Sequence, residues 1–336
     1  MTTARRTTAG TTRAQRPHVV ITGASSGIGQ ATAEALAAQG AKLVLAARGV
    51  EALEQVAQIC RRHGAKVLVV PTDVKDADAV RALAEQAQAF LGHVDLWFSN
   101  VGVGAVGKFQ DVPIEASDAV VQANLLGHMH DAHAAVQIFL AQERGILVNM
   151  ISMGGFAATP YAAAYSASKY GQRGFSEALR AELAEHPHIH VCDVYPYFVD
   201  SPGLAHGANY TGRRIDGPPP MLDPRRVARA VVRLLRRPRN TVVIGPAVGA
   251  MRVVHALAPN AFAAGMGRFF GRYLARAPRA AVAPGNVFQP PLSPGGVDGG
   301  LRRRAQRTEL ATQVAAVGAV AALATVAVIA WRRSRR

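Results

Sequence analysis

The chain has 336 residues and is 49% hydrophobic, enough for one α/β domain of about 230–250 residues with an appendage. Its formal charge of +16 raises the question of nucleic acid, yet residues 1–16 hold four Arg and no acid, and residues 301–336 hold eight Arg against Glu309. With +4 and +7 of the charge in the tails, the body is mildly basic and shows no DNA-binding motif or aromatic-interleaved groove, which argues against a nucleic-acid partner.

Residues 1–16 lack the apolar run of a secretory signal and read as a disordered basic arm. From 17 to 248, short apolar runs alternate with helical stretches, the pattern of βαβ units that build a parallel sheet covered on both faces. Strands are expected at 18–22, 42–46, 66–70, 94–99, 145–151, 190–195 and 241–244. The helices between them open with 27–39, include 161–184 and close with 224–236, where Asp223 is placed to cap and Pro224 to begin the helix. The two cysteines, Cys60 and Cys192, fall in a helix and a buried strand and cannot form a disulfide framework, so a reducing compartment is expected.

The first strand runs into Thr22-Gly-Ala-Ser-Ser-Gly-Ile-Gly29, which opens the first helix. Gly23, Gly27 and Gly29 let the backbone approach a phosphate resting at the positive end of that helix. Farther along, Tyr165-Ser-Ala-Ser-Lys169 sets a phenol and an ammonium one helical turn apart, thirteen residues after Ser152. A phenol titrates near pH ~10, and a neighbouring ammonium is expected to bring that value down. Tyr165 then has the chemistry of a general acid–base at a carbonyl or alcohol oxygen, with Ser152 hydrogen-bonded to the same oxygen.

Taken together, these motifs resemble the short-chain dehydrogenase/reductase family over about residues 17–246. The resemblance implies a Rossmann-type doubly wound sheet of seven parallel strands. It implies catalytic roles for Ser152, Tyr165, Lys169 and Asn124, with Asn124 positioning a water in a proton relay and Lys169 also bonding the nicotinamide ribose. Cofactor contacts are implied for Gly23, Ser25, Ser26, Gly27, Ile28 and Gly29 in the first turn and for Arg48, Asp73, Val74, Asn100 and Gly102 after the next strands. Pro196, Val199 and Ser201, with Tyr165 and Lys169, are implied at the nicotinamide end. Where NAD enzymes carry an acid this chain has Ala47, and the adjacent Arg48 suits a 2′-phosphate, so NADP(H) is expected over NAD(H).

The chain departs from the family pattern in places. Ser99 and Val101 flank Asn100 where the family has Asn and Ala, and Tyr197 follows Pro196 where the family has Gly. Residues 202–222 read as a mobile substrate lid. His128, His130 and His133, and then His186, His188 and His190, cluster without Cys or carboxylates at metal spacing, so no metal is expected.

Beyond the domain, 249–276 reads as a basic amphipathic stretch and 277–308 as a Pro/Gly-rich linker or surface extension ending in an Arg cluster. Segment 309–336 contains 22 uncharged residues, 310–331, flanked by Arg. As a helix these span about 33 Å, enough for a hydrocarbon core of about 30 Å. A single membrane anchor is expected; the rival is a helix buried against the enzyme or a partner. Arg at both ends leaves its orientation open, and the need for NADP(H) argues for a cytoplasmic catalytic domain. The functional expectation is a membrane-associated oxidoreductase exchanging hydride between NADP(H) and a small hydrophobic ketone, aldehyde or secondary alcohol. A reductase of soluble carbonyls and a dinucleotide-binding sensor or scaffold with little turnover stand as alternatives, and a homo-oligomer is compatible with either.

Overall fold

A computed structural model describes residues 16–217, 221–291 and 295–302. In chain order its strands are β1 (His18–Thr22), β2 (Lys42–Ala47), β3 (Lys66–Pro71), β4 (Leu96–Ser99), β5 (Ala105–Val106), β6 (Gly145–Met150), β7 (Ile189–Pro196), β8 (Ala208–Asn209) and β9 (Thr241–Ile244). The helices are α1 (Gly27–Ala37), α2 (Val50–Arg62), α3 (Ala77–Leu91), α4 (Ile114–Val121), α5 (Gly127–Ala141), α6 (Ala163–Glu182), α7 (Pro202–His206), α8 (Pro224–Leu234), α9 (Pro246–Leu257) and α10 (Pro259–Arg276).

Seven strands form one sheet in the order β3-β2-β1-β4-β6-β7-β9, every neighbouring pair parallel. The seven expected strands are these seven, with ends that differ by two residues or fewer. Side chains alternate across the sheet with a period of two. Val19 and Ile21 of β1 pack with Leu36, Leu53 and Val231 from α1, α2 and α8 on one face, while Val20 meets Leu83 and Phe139 from α3 and α5 on the other. Burial on both faces is why these strands read as continuous apolar runs. The strand order reverses between β1 and β4, and the crevice outside their carboxyl ends is where such sheets bind ligands.

Local chemistry sets the helix starts. Asp223 caps α8 by accepting from the Arg225 N–H, as expected, and Asp76 caps α3 in the same way. The amphipathic stretch 249–276 is not one element: Pro259 closes α9 and opens α10, because it lacks an N–H and has a helical φ. Within the expected lid at 202–222 lie α7 and then β8, which pairs with β5 in a two-stranded ribbon.

Of the two expected readings the described residues 277–291 and 295–302 follow the surface extension, packed on the domain. Ala283 pairs with Asn209, and Val287 and Val297 are buried. Among the described residues no helix is long and apolar enough to cross a membrane; the expected arm at 1–16, apart from Arg16, and the expected anchor at 310–331 lie outside the described residues.

Candidate active site

A cavity of about 410 Å³ opens along the carboxyl ends of β1, β2, β4, β6 and β7. At one end lies the glycine turn. Gly23 has φ 65°, and a Cβ on Gly29 would fall 2.1 Å from the Gly23 carbonyl oxygen, so neither position tolerates a side chain without rearrangement. The Asn100 amide donates to the same carbonyl at 3.0 Å and ties β4 to the turn. Ser26 stands at the N-cap of α1 without bonding the helix, which leaves its hydroxyl for a ligand.

Ser25, Ser26, Gly27, Ile28, Arg48, Asp73, Val74, Asn100 and Gly102 all line the cavity, as do Pro196, Val199 and Ser201 at its other end. Gly23 lines it too, whereas Gly29 sits behind the turn as the close-packing position. Asp73 accepts from the Lys75 N–H at 3.0 Å, which fixes its carboxylate at the rim. The Arg48 guanidinium is engaged by the C-terminal extension, donating to the Asn286 carbonyl at 2.8 Å and the Phe288 carbonyl at 3.1 Å.

Ser152, Tyr165 and Lys169 converge on the opposite wall. Ser152 follows β6 and hydrogen-bonds Tyr165, while its Oγ also accepts from the Gly154 N–H at 3.1 Å. Lys169, one turn along α6, is buried, and its Nζ lies 5.6 Å from the Tyr165 ring centre. The ammonium donates to the Met150 carbonyl at 3.0 Å and to Gln172 Oε1 at 2.9 Å. Burial holds its pKa at about 7. Burial also pushes the Tyr165 phenol up, with the Ser152 bond acting in the opposite direction. The expected lowering by Lys169 is therefore not found in this arrangement: the lysine faces Met150 and Gln172, and desolvation of the phenolate dominates.

Asn124 is placed differently from the rest. It sits in a π-helical turn, Gln122–Leu126, where the Gly127 N–H reaches back to the Gln122 carbonyl. Its side chain is buried and does not line the cavity. Oδ1 accepts from the Val103 N–H at 2.8 Å, and Nδ2 donates to the Val103 carbonyl at 2.9 Å and to Ser168 Oγ at 3.2 Å. Ser168 in turn donates to the Tyr165 carbonyl at 2.7 Å, so Asn124 braces the β4 loop against the catalytic turn of α6. The bonds of its carboxamide all go to protein.

The substrate side of the cavity is apolar, lined by Val103, Ala105, Val106, Met153, Phe198 and Leu204. Tyr197 extends β7 by donating its N–H to the Ile244 carbonyl at 2.9 Å, and its ring meets Phe198 edge to face at 5.1 Å. It lines the cavity while packing into the core behind it. Of the histidines, His128 is buried with its pKa lowered to about 3 by desolvation, and its Nε2 lies 2.8 Å from the Val101 carbonyl oxygen.

Sequence reading passed over Gln172 and gave the extension no part in the site. Gln172 lies three residues after Lys169, a spacing that predicts contact on a helix. Asn286, Pro290, Pro291 and Gly295 also line the cavity, and nothing in their composition announces it.

Residues 17–209 match the family model described as short chain dehydrogenase. An uncharacterized oxidoreductase of Staphylococcus aureus strain USA300 is 34% identical over 224 residues, covering 67% of this chain and 93% of that protein. Among solved structures, an alcohol dehydrogenase from Thermococcus sibiricus complexed with 5-hydroxy-NADP is similar at 28% identity and a TM-score of 0.58, over 67% of this chain and 93% of that one. A short chain dehydrogenase/reductase from Burkholderia phymatum in complex with NAD is similar at 27% identity and a TM-score of 0.64, over 79% and 97%.

Proposed function

The chain belongs to the short-chain dehydrogenase/reductase family, and from that premise we propose that it is an NADP(H)-dependent oxidoreductase of small hydrophobic carbonyls or secondary alcohols. The observation that carries this reading is that Tyr165 and Lys169, on one face of α6, share with the Ser152 hydroxyl a single apolar-walled cavity that continues to the glycine turn.

The groove suits a dinucleotide by its own geometry. A Cβ at Gly29 would block the turn, the Ser26 hydroxyl makes no cap bond, and Asp73 and Arg48 stand at the far rim. The bound nicotinamide dinucleotide would supply or accept the hydride. The chain's own groups do the rest. Ser152 and Tyr165 hold the substrate oxygen, and Tyr165 passes its proton to that oxygen as a carbonyl becomes an alcohol, or takes it back in reverse. Lys169 would bond the nicotinamide ribose, a role supported by its place on the same wall. Arg48, with no acid beside it, supports NADP(H) over NAD(H).

The 22 uncharged residues at 310–331, flanked by Arg, support a membrane anchor that keeps the enzyme near apolar substrates. The second reading is a dinucleotide-binding sensor or scaffold with little turnover.

A panel of apolar and water-soluble ketones and aldehydes, run with NADPH and with NADH on purified protein, separates these readings. Turnover with NADPH on apolar carbonyls is expected. Tyr165→Phe should lower kcat by at least about a hundredfold, the general-acid contribution, while NADPH still binds. Near-native turnover in Tyr165→Phe would overturn the assignment, and dinucleotide binding without turnover in the wild type would favour the second reading.

A further inference from the structure

The extension that follows α10 crosses the mouth of the dinucleotide groove and is tied down along its length. Ala283 and Asn209 exchange backbone hydrogen bonds at 2.9 and 3.0 Å. Gly285 follows with φ 53°, in a position where a Cβ would lie 2.3 Å from the His206 carbonyl oxygen. The next residue, Asn286, donates its N–H to that carbonyl at 2.8 Å and gives its own carbonyl to Arg48. Val287 is buried against Val103, Ala105 and Ala208. Farther on, Gly296 accepts from the Gly27 N–H, and Val297 is buried between Ala31 and Ala228. The end is anchored on the buried Asp200 carboxylate, which accepts from the Leu301 N–H at 2.8 Å and from the Arg302 N–H and Nε at 3.1 Å.

This fastening holds the Asn286 backbone from both sides, and the residue lines the cavity. Its Oδ1 is buried with no hydrogen-bond partner among the described residues. Buried polar atoms in native proteins are rarely left unpaired, and one that is calls for a missing ligand or water. Next to it stands Arg48, the cation assigned above to a 2′-phosphate. A carboxamide offers one acceptor and two donors, and the adenosine end of a dinucleotide offers ribose hydroxyls, an amino group and phosphate oxygens.

We propose that Asn286 is a nucleotide-contacting residue and that the C-terminal extension is the outer wall of the cofactor site, resting on the reading that the groove holds NADP(H). The extension brings no catalytic group. It brings a hydrogen-bonding side chain beside Arg48 and closes the groove from outside the segment that matches the family model.

Isothermal titration of NADPH, NADH and 2′-phospho-ADP-ribose into wild-type protein, Asn286→Ala and Asn286→Asp tests this. Asn286 is half-buried and its backbone makes the fastening bonds, so both variants should keep the wild-type circular dichroism spectrum and melt. Asn286→Ala should weaken NADPH and 2′-phospho-ADP-ribose by about tenfold, the effect of one lost hydrogen bond. Asn286→Asp, a carboxylate beside the phosphates, should weaken NADPH more than NADH. If folded Asn286→Ala binds both NADPH and 2′-phospho-ADP-ribose as tightly as wild type, the proposal falls and the cofactor reading stands. If wild-type protein binds none of the three, the cofactor reading itself fails and the proposal with it.

Discussion

Lys169 shows what a buried cation costs the fold. Its ammonium is buried against Met150 and Gln172, and burial sets its pKa at about 7 against 10.5 for a free lysine. The unfolded chain therefore binds this proton more tightly than the native one. Between about pH 7 and 10.5 unfolding takes up a proton, so the lysine's penalty on the fold is full at and below pH 7 and fades as pH rises. Cofactor-free Lys169→Met should accordingly gain in melting temperature relative to wild type near pH 7, and the difference should shift against the variant toward pH 10. Melts at the two pH values check this; a difference independent of pH would mean that the lysine carries no buried charge. Tyr165 was legible from its spacing to Lys169 and Ser152, but the direction of its pKa was not. That direction depends on where the ammonium points and how dry the phenol is, and both depend on residues of other elements, Met150 among them.

At the scale of elements, the π turn between α4 and α5 is the feature that most shapes the site. It presents Asn124 to the backbone of Val103, and the carboxamide satisfies both the N–H and the carbonyl of that residue. Asn124→Ala would leave two buried backbone groups unpaired, a loss of about 2–4 kcal/mol in stability if each costs about 1–2 kcal/mol. Denaturant unfolding should show that loss, and turnover should fall because the brace from Asn124 through Ser168 to Tyr165 is cut. Wild-type stability in the variant would show that water replaces the amide at Val103. An asparagine inside an apolar helical run was the one sign of this turn in the sequence. Its irregular hydrogen bonding leaves no mark on periodicity. The extension was harder still: five Pro and five Gly over 278–300 left linker and surface extension undivided, because its fastening is mostly backbone to backbone and carries no side-chain pattern.

At the scale of the whole molecule, the question is how the catalytic domain meets its surroundings. Exposed Val253, Leu257 and Phe269 lie on α9 and α10, beside arginines at 268, 272 and 276, and the chain then continues past Arg302 toward the uncharged stretch at 310–331. A chain ending at Arg302 keeps the bonds to Asp200 and hence the outer wall of the groove. It should bind NADPH as the full chain does but should lose carbonate-resistant association with membranes. Full retention of the shortened chain in the membrane fraction would reject the anchor, and lost NADPH binding would show that residues beyond 302 take part in the groove.

The alternation of apolar runs and helical stretches was enough to determine the parallel sheet, because strands buried on both faces and glycines at a phosphate turn leave local signatures. The spacing of Tyr165 and Lys169 was enough to put both on one face of a helix, since a helical turn fixes which residues share a face. Tertiary structure alone decided what those groups touch. It set Lys169 against the Met150 carbonyl and used the Asn124 side chain as a brace. It also brought Asn286 across the groove to Arg48, 238 residues away in the chain. Such long-range hydrogen bonds depend on the whole packed sheet, and no window of neighbouring residues encodes them.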